Sequence, residues 1–253
     1  MGDSSRLNSH WNLKWLLIWW VSAALLFASW LVPETRAVWD AFDTQVFYWL
    51  NGSLESGTYW QGFWAVVNWR PFDVIAALLI FLLSFVWVYQ LPMQRRLPAL
   101  AGLSLLLIII LATRISTGLL LYLADFKRTS PSLLLEPVFR LTELVDWIDA
   151  KDAHNDSFPG DHGYVVIACI VFFFIQAGKR WGFITLLLLA PFMLPRMVSG
   201  AHWATDILIG SVTMVLISMS LLFCTPLYDQ GQKIIGWIYN KLFGRILGAL
   251  CLG

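Results

Sequence analysis

The chain has 253 residues, 58% of them hydrophobic and 13% charged, with a mean hydropathy of +0.68. A soluble domain carries about twice that charged fraction, so the composition excludes a soluble enzyme and marks an integral membrane protein. The formal net charge of +1 gives no electrostatic case for a nucleic-acid partner.

Membrane-spanning helices of about 20 apolar residues are expected at 14–32, 72–90, 98–124, 163–178, 183–201 and 204–224. The expected fold class is therefore all-α. It is a six-helix membrane bundle forming one domain over 1–253, with its core at 98–224. The first run ends in Trp30-Leu31-Val32-Pro33 with no small-residue cleavage site, so it is expected to stay as a helix. The fourth run is short, and the long stretch 183–224 divides at the turn Gly200-Ala201-His202-Trp203.

Basic residues set the orientation. Arg6 and Lys14 precede the first span, and Arg95 and Arg96 separate the second from the third. Lys179 and Arg180 separate the fourth from the fifth, and Lys233, Lys241 and Arg245 follow the sixth. All share one side, which the positive-inside rule makes cytoplasmic. Both termini are then inside, and 33–71, 125–162 and the 201–205 turn face a periplasm. The 15 tryptophans suit aromatic belts at the two interfaces.

Between spans, Trp39, Phe42, Val46 and Leu50 recur at helical spacing. So do Leu134, Val138, Leu141, Val145 and Ile148, with Glu136, Arg140, Glu143 and Asp146 among them. Both stripes predict amphipathic helices lying in the interface. The second sits in a long outer loop, where it is expected to gate lipid access. After Pro226, Ile235, Ile238, Leu242 and Ile246 predict a cytoplasmic interfacial helix.

Three polar clusters fall at the outer ends of their spans: Lys127-Arg128-Thr129-Ser130-Pro131, Ser157-Phe158-Pro159-Gly160-Asp161-His162, and Arg196 through His202 to Asp206. Each has a plain structural reading alone, as a solvated helix end, a capping histidine or an ion-pair network. Their coincidence points to phosphoryl transfer. Asp206, four residues after His202, is positioned to fix one imidazole nitrogen and leave the other free to attack phosphorus. Arg196 offers a permanent planar cation. Pro159 and Gly160 signal a helix start, whose free N–H groups suit a phosphate. Arg114 lies inside the third span, where an ionised side chain needs a partner; Asp73 is one choice. Arg70 and Asp73 lie near the outer boundary and read as a second phosphate-recognition group or as interfacial structure. Asp161 needs a cation, for which Lys127, Arg128 and His162 are candidates. Cys169, Cys224 and Cys251 show no pairing or metal spacing, so no disulfide, metal or cofactor is expected.

Arg196-x5-His202-x3-Asp206 resembles the third signature of the type 2 phosphatidic acid phosphatase superfamily. That family's signatures run Lys-x6-Arg-Pro, then Pro-Ser-Gly-His, then Ser-Arg-x5-His-x3-Asp. This chain compresses the first to Lys127-Arg128-Thr129-Ser130-Pro131 and writes the second as Pro159-Gly160-Asp161-His162. Pro195 precedes Arg196 where the family has Ser. With Asn68-Trp69-Arg70-Pro71-Phe72-Asp73, these departures resemble the lipid A 1-diphosphate synthase branch.

The resemblance implies transfer of phosphate from undecaprenyl diphosphate to the 1-phosphate of lipid A, at the periplasmic face of a bacterial inner membrane. His202 would be the nucleophile, Asp206 its orienting group and His162 the acid. Lys127, Arg128, Ser157, Gly160 and Arg196 would hold phosphate, and Arg70, Asp73 and Asp161 would form a second recognition group. Two other outcomes stay open: water as acceptor, which makes a lipid phosphatase, and a non-enzymatic membrane protein with a relic site.

Overall fold

The computed structural model of the protein describes residues 11–251, with side chains through 242. Arg6 and the side chains of Arg245, Ile246 and Cys251 lie outside the described residues. The described chain is helical, in the order α1 (Leu13–Leu31), α2 (Pro33–Gly52), α3 (Thr58–Val67), α4 (Phe72–Gln90) and α5 (Met93–Leu123). A short α6 (Leu141–Leu144) is followed by α7 (Asp161–Gln176), α8 (Lys179–Leu189) and α9 (Leu194–Val198). A π-helical turn (Asp206–Ser211), α10 (Val212–Phe223) and α11 (Leu227–Cys251) complete it.

By length and composition, 5 helical segments can cross a membrane: Leu13–Leu31, Phe72–Gln90, Met93–Leu123, Lys179–Val198 and Asp206–Phe223. The expected span at 163–178 is the helix α7, which has only 16 residues. At about 1.5 Å per residue it falls short of the ~30 Å hydrocarbon thickness. It is also well covered by its neighbours, with Tyr164, Ala168, Phe172 and Phe173 buried. The third span starts at Met93 rather than 98. The fifth ends at Val198 rather than 201, because Gly200 takes φ +75 and turns the chain.

The spans run alternately. The N–H of Asn12 donates to the carbonyl of Cys224, so the start of α1 meets the end of α10. Arg196 at the end of α9 pairs with Asp73 at the start of α4. One end of the bundle therefore collects residues 31–33, 72–73, 124–128, 160–162 and 196–206. The main core lies between the spans, around Leu105, Tyr164, Phe173, Leu189 and Met219.

A cap of α2, α3 and the segment 131–160 covers that end. Its apolar centre joins Leu54, Ala65, Leu141, Val145 and Val198. Here the expected interfacial helix over 134–148 is overturned: only Leu141–Leu144 is helical. Pro137 removes a backbone donor and disfavours the helical region for Glu136. Buried Asp152 instead takes hydrogen bonds from Thr142 N (2.9 Å) and Thr142 Oγ1 (2.7 Å). Leu141 is 0% and Val145 3% exposed, so this stripe cannot rest on the bilayer as a lid.

The first stripe does form a helix, α2, but its buried positions are Asp43, Phe47 and Asn51. Asn51 Nδ2 donates to Phe139 O and Val198 O, both at 3.0 Å, and so pins α2 to the loop and to α9. The tail helix α11 docks along α5: Gln232 Nε2 donates to Pro98 O (2.8 Å), and Gly102 and Gly231 leave no room for a Cβ against Tyr228 and Leu105.

Candidate active site

His202 lies in the turn between α9 and the π-helical turn, not on a helix as its spacing from Asp206 suggests. Gly200 makes that turn. Its φ of +75 suits glycine, and a Cβ there would come within 2.8 Å of Phe47. His202 N then donates to Arg196 O at 3.0 Å, which sets the two residues side by side. His202 Nδ1 meets Asp206 Oδ2 at 3.3 Å. The same oxygen accepts the N–H of Trp203 at 2.9 Å. The carboxylate holds Nδ1–H, and Nε2 keeps its lone pair. The π-helical turn starting at Asp206 is the kind of local irregularity often found at functional sites.

The other oxygen of Asp206 goes to Arg128. Arg128 Nη1 reaches Asp206 Oδ1 at 2.5 Å and Thr205 Oγ1 at 2.8 Å, and Nη2 reaches Asp43 Oδ2 at 2.7 Å. Thr205 N donates to Asp43 Oδ1 at 2.9 Å. The guanidinium lies near the rings of Trp30 (5.1 Å) and Trp203 (4.9 Å). It is 9% exposed, and both carboxylates are 0% exposed. Burial raises the Asp43 carboxyl above its usual range, against the lowering pull of Thr205 and Arg128. Arg128 is therefore committed to the Asp43 and Asp206 carboxylates, not held free as the expected phosphate clamp.

Arg196 is held from the α3–α4 turn. Its Nη1 donates to Asn68 O (2.9 Å) and Asn68 Oδ1 (2.8 Å), and Nη2 donates to both Asp73 oxygens (2.9 and 3.2 Å). Asp73 Oδ2 also meets His162 Nε2 at 3.1 Å. One carboxylate thus bridges the expected acid and the expected phosphate cation. This gives Asp73 a place between two site residues, and Arg114 is not its partner. Arg114 pairs instead with Asp161 (Nη2–Oδ2 2.7 Å), which in turn pairs with none of its three expected cations. Replacing Asp73 with Asn should lower kcat by about 10–100-fold, the usual cost of losing an orienting carboxylate, with little change in KM. A steady-state assay of the folded variant checks this; unchanged kcat removes Asp73 from the positioning of His162.

The second motif is packed more tightly than its sequence suggests. Gly160 N donates to Asp206 O (3.1 Å), and Gly160 O accepts from Ser211 Oγ (2.6 Å). Its backbone is committed to the π-helical turn, so the expected phosphate contact at this N–H is not available. Ser157 is 1% exposed, and its hydroxyl has no hydrogen-bond partner among the described residues, so the expected phosphate contact there is closed off from the surface. Lys127 is exposed and lies 3.6 Å from Asp125.

Some site residues carried no sequence signal. Asp43 is one, and it reaches Thr205 and Arg128 only through tertiary contacts. Lys151 is another: its carbonyl accepts from Asn68 Nδ2 (2.6 Å) and Ser199 Oγ (3.1 Å). Burial, then Arg196 and exposed Arg70, push the Lys151 ammonium below its usual range. Arg70 and Lys151 line one shallow pocket, while Arg196 is buried against Asp73. The His154 imidazole is pushed below its usual range by burial, then by Lys151 and His202. Neither lies in a motif, and in sequence a lone Lys or His in a loop reads like any solvated side chain.

The chain is 34% identical over 221 residues to a lipid A 1-diphosphate synthase of Escherichia coli (strain K12), covering 87% of this chain and 91% of that protein. No solved structure matches it. The PAP2 superfamily model matches residues 101–228, from within α5 to the start of α11, and so contains all three polar clusters. The chain belongs to the PAP2 superfamily.

Proposed function

We propose that the chain moves the terminal phosphate of undecaprenyl diphosphate to the 1-phosphate of lipid A, through a phosphohistidine at His202. One observation carries this reading: an imidazole whose Nδ1 is fixed at 3.3 Å by a buried carboxylate, itself anchored by Arg128 and the Trp203 N–H. That is the arrangement of a nucleophile and its orienting group. The identity of the similar E. coli enzyme supports lipid A as acceptor.

In the first step Nε2 bonds to the terminal phosphorus and the P–O bond to the lipid phosphate breaks. His162 gives its proton to the departing oxygen. In the second step an oxygen of the acceptor phosphate attacks the same phosphorus. The P–N bond breaks, its electron pair returns to Nε2, and His162 takes the acceptor's proton. Asp206 stabilises the positive imidazole between the steps. Arg196, Lys151, Arg70 and Lys127 offset charge on the phosphoryl oxygens.

In this reading α7 is a sixth span and the site faces the periplasm. Lys14, Arg95, Arg96, Lys179, Arg180 and Lys233 lie at the opposite end of the bundle. Among the described acids, Asp229 alone shares that end. Such asymmetry supports a cytoplasmic placement for the basic end.

Incubating the purified protein with radiolabelled undecaprenyl diphosphate, with and without lipid A, tests the proposal. Label is expected on lipid A. Label found only as free phosphate, with lipid A present, would make the protein a phosphatase instead.

A further inference from the structure

Carboxylates are shared out unevenly among the cations of the outer end. Arg114, Lys127, Arg128 and Arg196 each meet one or more. So do Arg36 and Arg140. Among the described residues of that end, Arg70 and Lys151 are the two cations whose side chains make no ion pair and no hydrogen bond. The fold nevertheless sets them side by side. Trp69 and Ala150 form an antiparallel bridge, and Asn68 Nδ2 donates to Lys151 O at 2.6 Å, so 68–70 run beside 150–151.

Together they line a pocket of about 190 Å³, with Asp149 and Asp152. That is below the roughly 300 Å³ at which drug-sized ligand sites begin, so it suits a small anion and not a whole headgroup. The Asp152 carboxylate is already taken by Thr142 and Arg140. Asp149 is exposed and pairs with neither cation. Two open cations therefore face one open carboxylate. The charges of Arg196, Asp73 and Asp161 also reach Lys151. Asp73 is bonded to His162, and Asp161 precedes it in the chain, so the pair stands beside the expected acid. Burial and repulsion from Arg196 and Arg70 disfavour the Lys151 ammonium, and a bound anion would offset both.

The chemistry calls for one such seat. Displacement at phosphorus runs in line. As the bond from Nε2 forms, the P–O bond opposite it breaks, and the lipid phosphate departs with that electron pair on the side away from His202. The acceptor phosphate must then attack opposite Nε2, from that same side. Two ester phosphates thus use one place in turn, and His162 serves both, as acid and then as base. We infer that Arg70 and Lys151 seat the phosphate that does not move: that of the departing carrier lipid in the first step, and that of the acceptor in the second. Such a seat favours diphosphate donors over phosphate monoesters, whose departing alcohol brings it no charge. This rests on the phosphotransferase reading above and assigns the second phosphate position of that site.

Product inhibition tests the shared seat without altering the chain. The purified full-length protein is given labelled undecaprenyl diphosphate and lipid A, with added undecaprenyl phosphate. Inhibition competitive with lipid A is expected, since both phosphates then claim one seat on the phosphohistidine form. Non-competitive inhibition would put them in separate places and overturn the inference. In a double displacement, kcat/KM for each lipid reports its own half-reaction. Lys151→Met should lower both by at least about tenfold, the order expected for one lost charge-assisted hydrogen bond. Lys151→Arg should restore most of both. The bonds to Asn68 and Ser199 come from the Lys151 carbonyl, so they survive either change. Arg70→Gln, at an exposed position, should act in the same direction. A fall in one half-reaction only, or in neither, sinks the shared seat. A protein that frees phosphate and never labels lipid A would sink the transferase reading by itself. The seat then stands if Lys151→Met lowers kcat/KM for undecaprenyl diphosphate more than for undecaprenyl phosphate, and fails if that ratio holds.

Discussion

His202→Ala should abolish turnover, with a fall of at least about 10⁴-fold in kcat, because it removes the imidazole proposed to carry the covalent intermediate. Lipid binding should survive, since Arg196, Lys151 and Arg70 remain. His202 is only 10% exposed on its side chain, and its N–H bond to Arg196 O belongs to the backbone, so alanine keeps the turn. Rapid quenching at alkaline pH should trap label on the wild-type protein, and acid should release it, as for a phosphorus–nitrogen bond. Asp206→Asn should lower kcat by about as much, since an amide no longer enforces the Nδ1–H tautomer. Substantial turnover in His202→Ala would rule out the covalent route.

Arg128→Ala should act through the fold first. It leaves Asp43 and Asp206 buried without their cation, and breaking a buried ion pair from one side costs about 3–5 kcal/mol. Loss of folded protein from the membrane and a lower thermal midpoint are the expected readouts. Pairing the change with Asp43→Asn should recover part of that loss, because residues in one network do not add. A variant that folds like the wild type and only raises KM would instead make Arg128 a phosphate ligand. Arg196→Ala offers a partial contrast: Asp73 is 40% exposed and can turn to water, while buried Asn68 loses the two bonds that its oxygens accept.

Much of this was legible beforehand. Long apolar runs placed the second span at 72–90 without error, because twenty apolar residues have no other stable location. The alternation of spans brought three separated polar clusters to one end, and the structure joins residues of all three there. His202 with Asp206 was legible as a pair, although the contact is made across a turn and not along a helix. The stripe at 134–148 misled, since helical spacing does not reveal Pro137 breaking the helix or a cap burying Leu141 and Val145.

The sequence by itself determined where the long apolar helices run, the end of the bundle where polar groups gather, and the pairing of His202 with Asp206. Those follow from hydropathy, chain alternation and the chemistry of single side chains. Only the tertiary structure decided which charge faces which. Arg128 turned from phosphate to Asp43 and Asp206, Asp73 came between Arg196 and His162, and Asp161 took Arg114. The reason is that a buried ionised group must find its countercharge in space, and partners up to 123 positions apart in the chain leave no spacing to read.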